Sequence, residues 1–100
     1  MSKPIYKMYL LKFKEAGYQL SLEERNNIIA KTQESFQSVG AEMVISCDTI
    51  WSSEPWLSFG VQKYPNIEAV QEHAAQLMQF EWYRYVDAMT ILGTESESQE

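Results

Sequence analysis

Residues 6–13 read YKMYLLKF. Dense in aromatic and aliphatic side chains, the run predicts a β-strand. A strand with one wet face alternates apolar and polar positions. This one does not: Tyr6, Met8 and Leu10 fall on one side of the pleat, and Tyr9, Leu11 and Phe13 on the other. The pattern recurs further along. In AEMVISCDTIW (41–51), Met43, Ile45 and Cys47 oppose Val44 and Ile50; in DAMTILG (87–93), Met89 and Ile91 oppose Ala88 and Leu92. A sheet built from such strands is apolar front and back.

Around these strands the punctuation is clear. EAGYQL breaks the first strand, and Ser21 with Glu24 forms an S-x-x-E capping box, each side chain satisfying the other's free backbone N–H. A helix follows from Leu22 to Ser38, with Ile29, Phe36 and Val39 along one side, closed by Gly40 where a left-handed residue is wanted. The second strand (41–51) and the third, WLSFGVQKY (56–64), are joined by SSEP, which suggests an antiparallel hairpin. Asn66 is a fair N-cap for a second helix from Ile67 to about Tyr85, and residues 87–93 form the last strand. The order β-α-β-β-α-β is that of the ferredoxin-like split arrangement, an α+β fold with a four-stranded antiparallel sheet and two helices on one face. Two helices leave the other face bare. A second copy of the chain is its simplest cover, so the sequence predicts a homodimer, sheet against sheet.

The bulk numbers bound the rest. One hundred residues make a single domain, taken as 1–94, with ESESQE (95–100) as a disordered acidic tail. The net charge is −6 and the lysines and arginines are scattered, which argues against nucleic acid as a partner. No apolar run is long enough to span a membrane, and MSKPIYK lacks the apolar core of a signal peptide. A lone cysteine, Cys47, fits a reducing cytoplasm. With no nucleotide- or metal-binding motif and one histidine, His73, no cofactor or metal is expected.

Element order, length and two-faced strands together resemble the dimeric α/β-barrel superfamily over roughly residues 5–94. The resemblance implies two ferredoxin-like sheets packed into one barrel with the helices outside. It also implies a site in each protomer between the sheet and its two helices. Members include cofactor-free quinone-forming monooxygenases, haem-degrading enzymes and small polyketide cyclases. LKFK (11–14) and EAVQEH (68–73) are similar to the plant polyketide cyclases that form olivetolic acid. Carried over residue by residue, the cyclases' strand-1 catalytic histidine falls on Lys7, their helical tyrosine on His73 and their second histidine near Gln79. None of the three residue types is retained. For the haem-degrading branch, strand 1 holds no asparagine, and no tryptophan–histidine pair has that branch's spacing. The resemblance therefore indicates where a pocket lies rather than its chemistry.

QEHAAQLMQFEWYRYV (71–86) carries the candidate site. At 100° per residue, Ile67, Val70, Ala74, Met78 and Tyr85 share a stripe that should lie on the sheet, with Leu77 at its edge. Glu81 falls within that stripe. A carboxylate aimed at an apolar layer is costly unless it is paired or wet. One reading puts Glu81 in a water-containing pocket with a raised pKa, as a general acid or base. The other has the helix bend or end near Gln79, or Glu81 pair with Arg84 or a strand lysine. His73, about 90° from the stripe's centre, stands either at a pocket mouth, suited to proton transfer, or at a solvent edge. Lys7 and Tyr9 share a strand face with Leu11 and Phe13. If that face lies under the helices, Lys7, Tyr9, His73 and Glu81 converge on one cavity. The catalytic candidates are then His73 and Glu81, and the ligand-binding candidates are Lys7, Tyr9, Leu11, Leu77, Met78 and Tyr85. Cys47 reads as a small buried hydrophobe, Ser46 and Asp48 as polar groups on the opposite face, and Trp51 and Trp56, bracketing the hairpin turn, as dimer contacts.

Three functions fit. The first is a small cofactor-independent enzyme, of cyclase or monooxygenase type, acting on an aromatic or polyketide-like molecule, with His73 or Glu81 moving a proton and Tyr9 hydrogen-bonding a carbonyl. The second is a non-catalytic binder of a hydrophobic molecule such as a fatty acid, with Lys7 or His73 on its head group. The third is a structural or regulatory dimer whose helix–sheet space is filled by Met, Leu and Tyr.

Overall fold

A computed structural model describes residues 3–52 and 55–96 of the chain. Strands β1 (Ile5–Phe13), β2 (Glu42–Asp48), β3 (Ser58–Tyr64) and β4 (Val86–Gly93) form one antiparallel sheet in the order β2-β3-β1-β4. Between them lie the single turn α1 (Glu15–Tyr18) and helix α2 (Leu22–Ser38), then helix α3 (Ile67–Gln79) and the single turn α4 (Trp82–Tyr85). Helix α2 links β1 to β2 with β3 seated between them, the split arrangement of the ferredoxin-like fold.

Local chemistry sets the boundaries. Both halves of the Ser21–Glu24 capping box form, at 2.9 and 3.1 Å. Gly40 takes φ +78, the left-handed value that ends α2 at little cost. Asn66 caps α3 by accepting from the Ala69 N–H at 2.8 Å. Strand β2 stops at Asp48, three residues earlier than expected, because its carboxylate accepts from the Ile50 N–H at 3.0 Å and turns the chain into a 3₁₀ turn over Ile50–Ser52. There Trp51 is 84% exposed.

Two expectations need correction. The second helix does not run to Tyr85. It ends at Gln79, and Glu81 enters the left-handed region at φ 58 before α4 begins. The sheet face of α3 is accordingly not the stripe through Met78 and Glu81; its buried residues are Ala69, Val70, His73 and Leu77. Once Glu81 and Tyr85 no longer share the helical period, the inward face swings toward His73. In β2, a bulge between Met43 and Ile45 interrupts the alternation. Met43 pairs with Gln62 on the helix-covered face, whereas Ile45 and Cys47, paired with Val61 and Phe59, face the other way.

Lys7, Tyr9, Leu11 and Phe13 lie under the helices. On the opposite face the register aligns two rows across all four strands: Ile45–Val61–Met8–Ile91 and Cys47–Phe59–Leu10–Met89. This apolar face is open in the single chain, with Met89 and Ile91 57% and 59% exposed. The core divides in two. Tyr64, Ala69 and Val70 pack with Ile5, Phe36 and Val39 at one end. Leu77, Trp82 and Val86 pack with Leu11, Phe13, Ile28 and Phe80 at the other. In the expected tail, the Tyr6 hydroxyl donates to the Glu95 carboxylate at 3.3 Å. Residues 97–100 of that tail, and Ser53 and Glu54 of the hairpin connection, lie outside the described residues.

Candidate functional site

The helices bridge the sheet without filling the space above its centre. Two adjoining chambers open there, of about 300 and 150 Å³. They share Tyr9, Leu11, Thr32, Gln62 and Trp82 as walls. The larger is bounded by apolar side chains including Phe13, Leu20, Ile28 and Tyr85. The smaller holds the polar groups Lys7, His73 and Thr90, beside Leu77 and Ala88. A helix–sheet layer filled by Met, Leu and Tyr is therefore not what this chain builds.

Tyr9 forms the floor because β3 carries glycine beneath it. A Cβ at Gly60 would come within 2.7–2.8 Å of the Tyr9 ring and hydroxyl. With that space clear, the tyrosine crosses β3 to β2, where its hydroxyl donates to Ser46 Oγ at 3.3 Å and lies 3.8 Å from Met43 Sδ.

His73 hangs from α3 and is only 3% exposed. Its Nδ1 lies 2.8 Å from Ser35 Oγ on α2. Phe36 and Tyr64 stand edge-on and tilted against the ring, with centroids at 5.7 and 6.1 Å. Burial, and then the charge of Lys7, push its pKa down from 6.5 to about 4, so the ring is neutral at physiological pH. When the serine hydroxyl donates to Nδ1, Nε2 carries the proton and is a hydrogen-bond donor. An imidazole this weakly basic suits hydrogen bonding better than proton abstraction.

Lys7 enters from β1, its Nζ 5.9 Å from the centre of the Tyr64 ring. Desolvation lowers its pKa. Tyr64 is fully buried, donates from its hydroxyl to Gln62 Oε1 at 2.8 Å and has its pKa raised, mainly by burial.

The structure brings together Lys7, Tyr9, Leu11, His73 and Leu77 on the smaller chamber, and sets Tyr85 on the larger. Met78 is excluded: it is 69% exposed on the outer side of α3. Glu81 is excluded as well, being exposed and 3.6 Å from Arg84, the pairing the sequence allowed. Thr32, Ser35, Gln62 and Thr90 were not anticipated. Thr32 and Ser35 had a signal, since they continue the row Ile28–Thr32–Ser35–Phe36–Val39 at helical spacing, where two small polar residues interrupt an apolar face. Arg25, which lines the larger chamber with its guanidinium 5.0 Å from the Phe13 ring centre, had none. Among the described residues no three His, Cys, Asp or Glu side chains gather as a metal-binding group would require.

No protein-family model matches this chain, and no curated protein does. Solved structures do. A protein of unknown function from Rhodopseudomonas palustris, RPA0582, superposes in its methylated form with a TM-score of 0.70 at 15% identity, covering 100% of this chain and 86% of that one. A hypothetical Arabidopsis thaliana protein, AT3G17210, gives 0.66 at 15%, covering 99% and 94%. A DABB family protein with a ferredoxin-like fold from Mesorhizobium loti gives 0.63 at 14%, covering 96% and 100%. At these identities the likeness establishes a shared fold.

Proposed function

We propose that this chain binds an aromatic or polyketide-like small molecule between its sheet and helices, the apolar body in the larger chamber and an oxygen-bearing end among Tyr9, Lys7 and His73. What carries the reading is the hollow itself, an apolar cavity with a few converging polar groups, one of them a histidine held neutral by burial. The low basicity of His73 supports binding and orientation ahead of proton abstraction. A cofactor-independent reaction of cyclase or monooxygenase type would use the same contacts and rests on the likeness of LKFK (11–14) and EAVQEH (68–73) to the polyketide cyclases. The same reading includes a second copy of the chain over the opposite sheet face, supported by its two exposed apolar rows.

Native mass spectrometry of the freshly purified protein, followed by incubation with aromatic polyketide-like ketones, tests the proposal. Retention of an unchanged ligand, lost in Thr32→Phe, is expected from binding, and conversion from catalysis. Ligand uptake that ignores Thr32→Phe, which places a ring where the chambers meet, would refute it.

A further inference from the structure

The one lysine or arginine lining the smaller chamber has no counter-charge among the described residues. Lys7 lines the smaller chamber with His73, Thr90 and the aromatic Tyr83, and among the described residues no carboxylate lies within ion-pair distance of it. The titratable groups around it are His73, neutral, Tyr64 and Tyr83, both held protonated by burial, and Tyr9, whose hydroxyl donates to Ser46. Apart from the Tyr64 ring 5.9 Å away, nothing there favours an ammonium ion, whose burial without a counter-charge is costly. Desolvation accordingly lowers the pKa of Lys7. A lysine whose proton is held less tightly, at the polar end of an apolar cavity, is the kind that adds to carbonyl groups.

We propose that Lys7 forms an imine with an aldehyde or ketone whose apolar part occupies the larger chamber. The inference rests on the hollow being a small-molecule site and narrows its ligand to carbonyl compounds. The Nζ lone pair attacks the carbonyl carbon, a C–N bond forms, and the C=O π pair moves onto oxygen. A proton passes from nitrogen to that oxygen, giving a carbinolamine. The C–O bond then breaks, and water leaves with the second nitrogen proton, so that C=N–Lys7 remains. The step is a condensation with no change of oxidation state. His73, sharing the chamber, can donate a hydrogen bond to the oxygen as it gains charge and as it leaves. Tyr9 bounds the same space with its ring, while its hydroxyl is engaged by Ser46.

The test uses the intact protein, limiting 2-naphthaldehyde and sodium cyanoborohydride, which reduces an imine to a stable secondary amine. Intact mass and peptide mapping then read the adduct at each lysine. Lys7 is expected to carry several-fold more adduct than Lys12, Lys14, Lys31 or Lys63, because it alone of these lines the smaller chamber and burial loosens its proton. The adduct should vanish from that peptide in Lys7→Met, whose fold is checked by circular dichroism, while the wild-type chain binds 2-naphthol by calorimetry. Adduct spread evenly over the surface lysines, with 2-naphthol still bound, overturns the imine but leaves the small-molecule site standing. Absence of both overturns the site as well.

Discussion

Ser35 Oγ and His73 Nδ1 meet at 2.8 Å in a buried contact that joins α2 to α3 across the roof of the hollow. Neither ring nor hydroxyl has ready access to water, so each depends on the other. Ser35→Ala leaves a ring nitrogen unpaired and is expected to cost about 1–3 kcal/mol in denaturant unfolding. His73→Phe combined with Ser35→Ala should cost less than the two changes summed, with a coupling of about 1 kcal/mol.

The same histidine sets a pH dependence. Its pKa is about 4 in the folded chain against 6.5 ordinarily, so between those values the unfolded state takes up a proton the native state refuses. Stability from this group is complete above pH 6.5 and is lost as pH falls toward 4. By pH 5 the loss should be about 2 kcal/mol. Urea titrations at pH 7.5 and 5 check it: His73→Gln should lack that component, and parallel losses in the two proteins would show that His73 is not the group responsible.

Gly60 is irreplaceable for a spatial reason. A methyl there would strike the Ile45 carbonyl and the Tyr9 ring. Gly60→Ala should destabilise the chain by about 1–3 kcal/mol and displace the floor of the site. Thermal unfolding and ligand affinity, measured together, should both fall.

Glu81 should respond in the opposite sense. It holds φ 58 with a side chain, and its contact with Arg84 is between two exposed groups. Such a pair contributes little, whereas left-handed backbone costs a non-glycine residue roughly 1 kcal/mol. Glu81→Gly should therefore raise stability by up to about 1 kcal/mol and leave ligand affinity unchanged. Reduced affinity would return Glu81 to the site.

The outer sheet face makes a prediction about assembly. Sedimentation of the wild-type chain at micromolar concentration should give a dimer, and Met8→Lys, in the middle of one apolar row, a monomer. Met8 contributes to neither core cluster, so that monomer should keep its circular dichroism. A wild-type chain that sediments as a monomer would remove the proposed partner.

The sequence was sufficient for whatever neighbouring residues decide. The Ser21 capping box, the left-handed Gly40, the Asn66 cap and the doubly apolar strands are local patterns, and they yielded the element order and the sheet and put Lys7 and Tyr9 on one strand face, but not which face the helices cover. Both corrected expectations about the fold have one kind of cause. A helical wheel extrapolates a constant 100° per residue, and a strand pattern a constant alternation. One left-handed residue at Glu81 ended the first, and one bulge beside Met43 reversed the second. Which residues then meet was settled by tertiary packing: Ser35 against His73, Tyr9 over Gly60, and two separated core clusters with a hollow between them. Those contacts join positions far apart in the chain, where no spacing rule reaches.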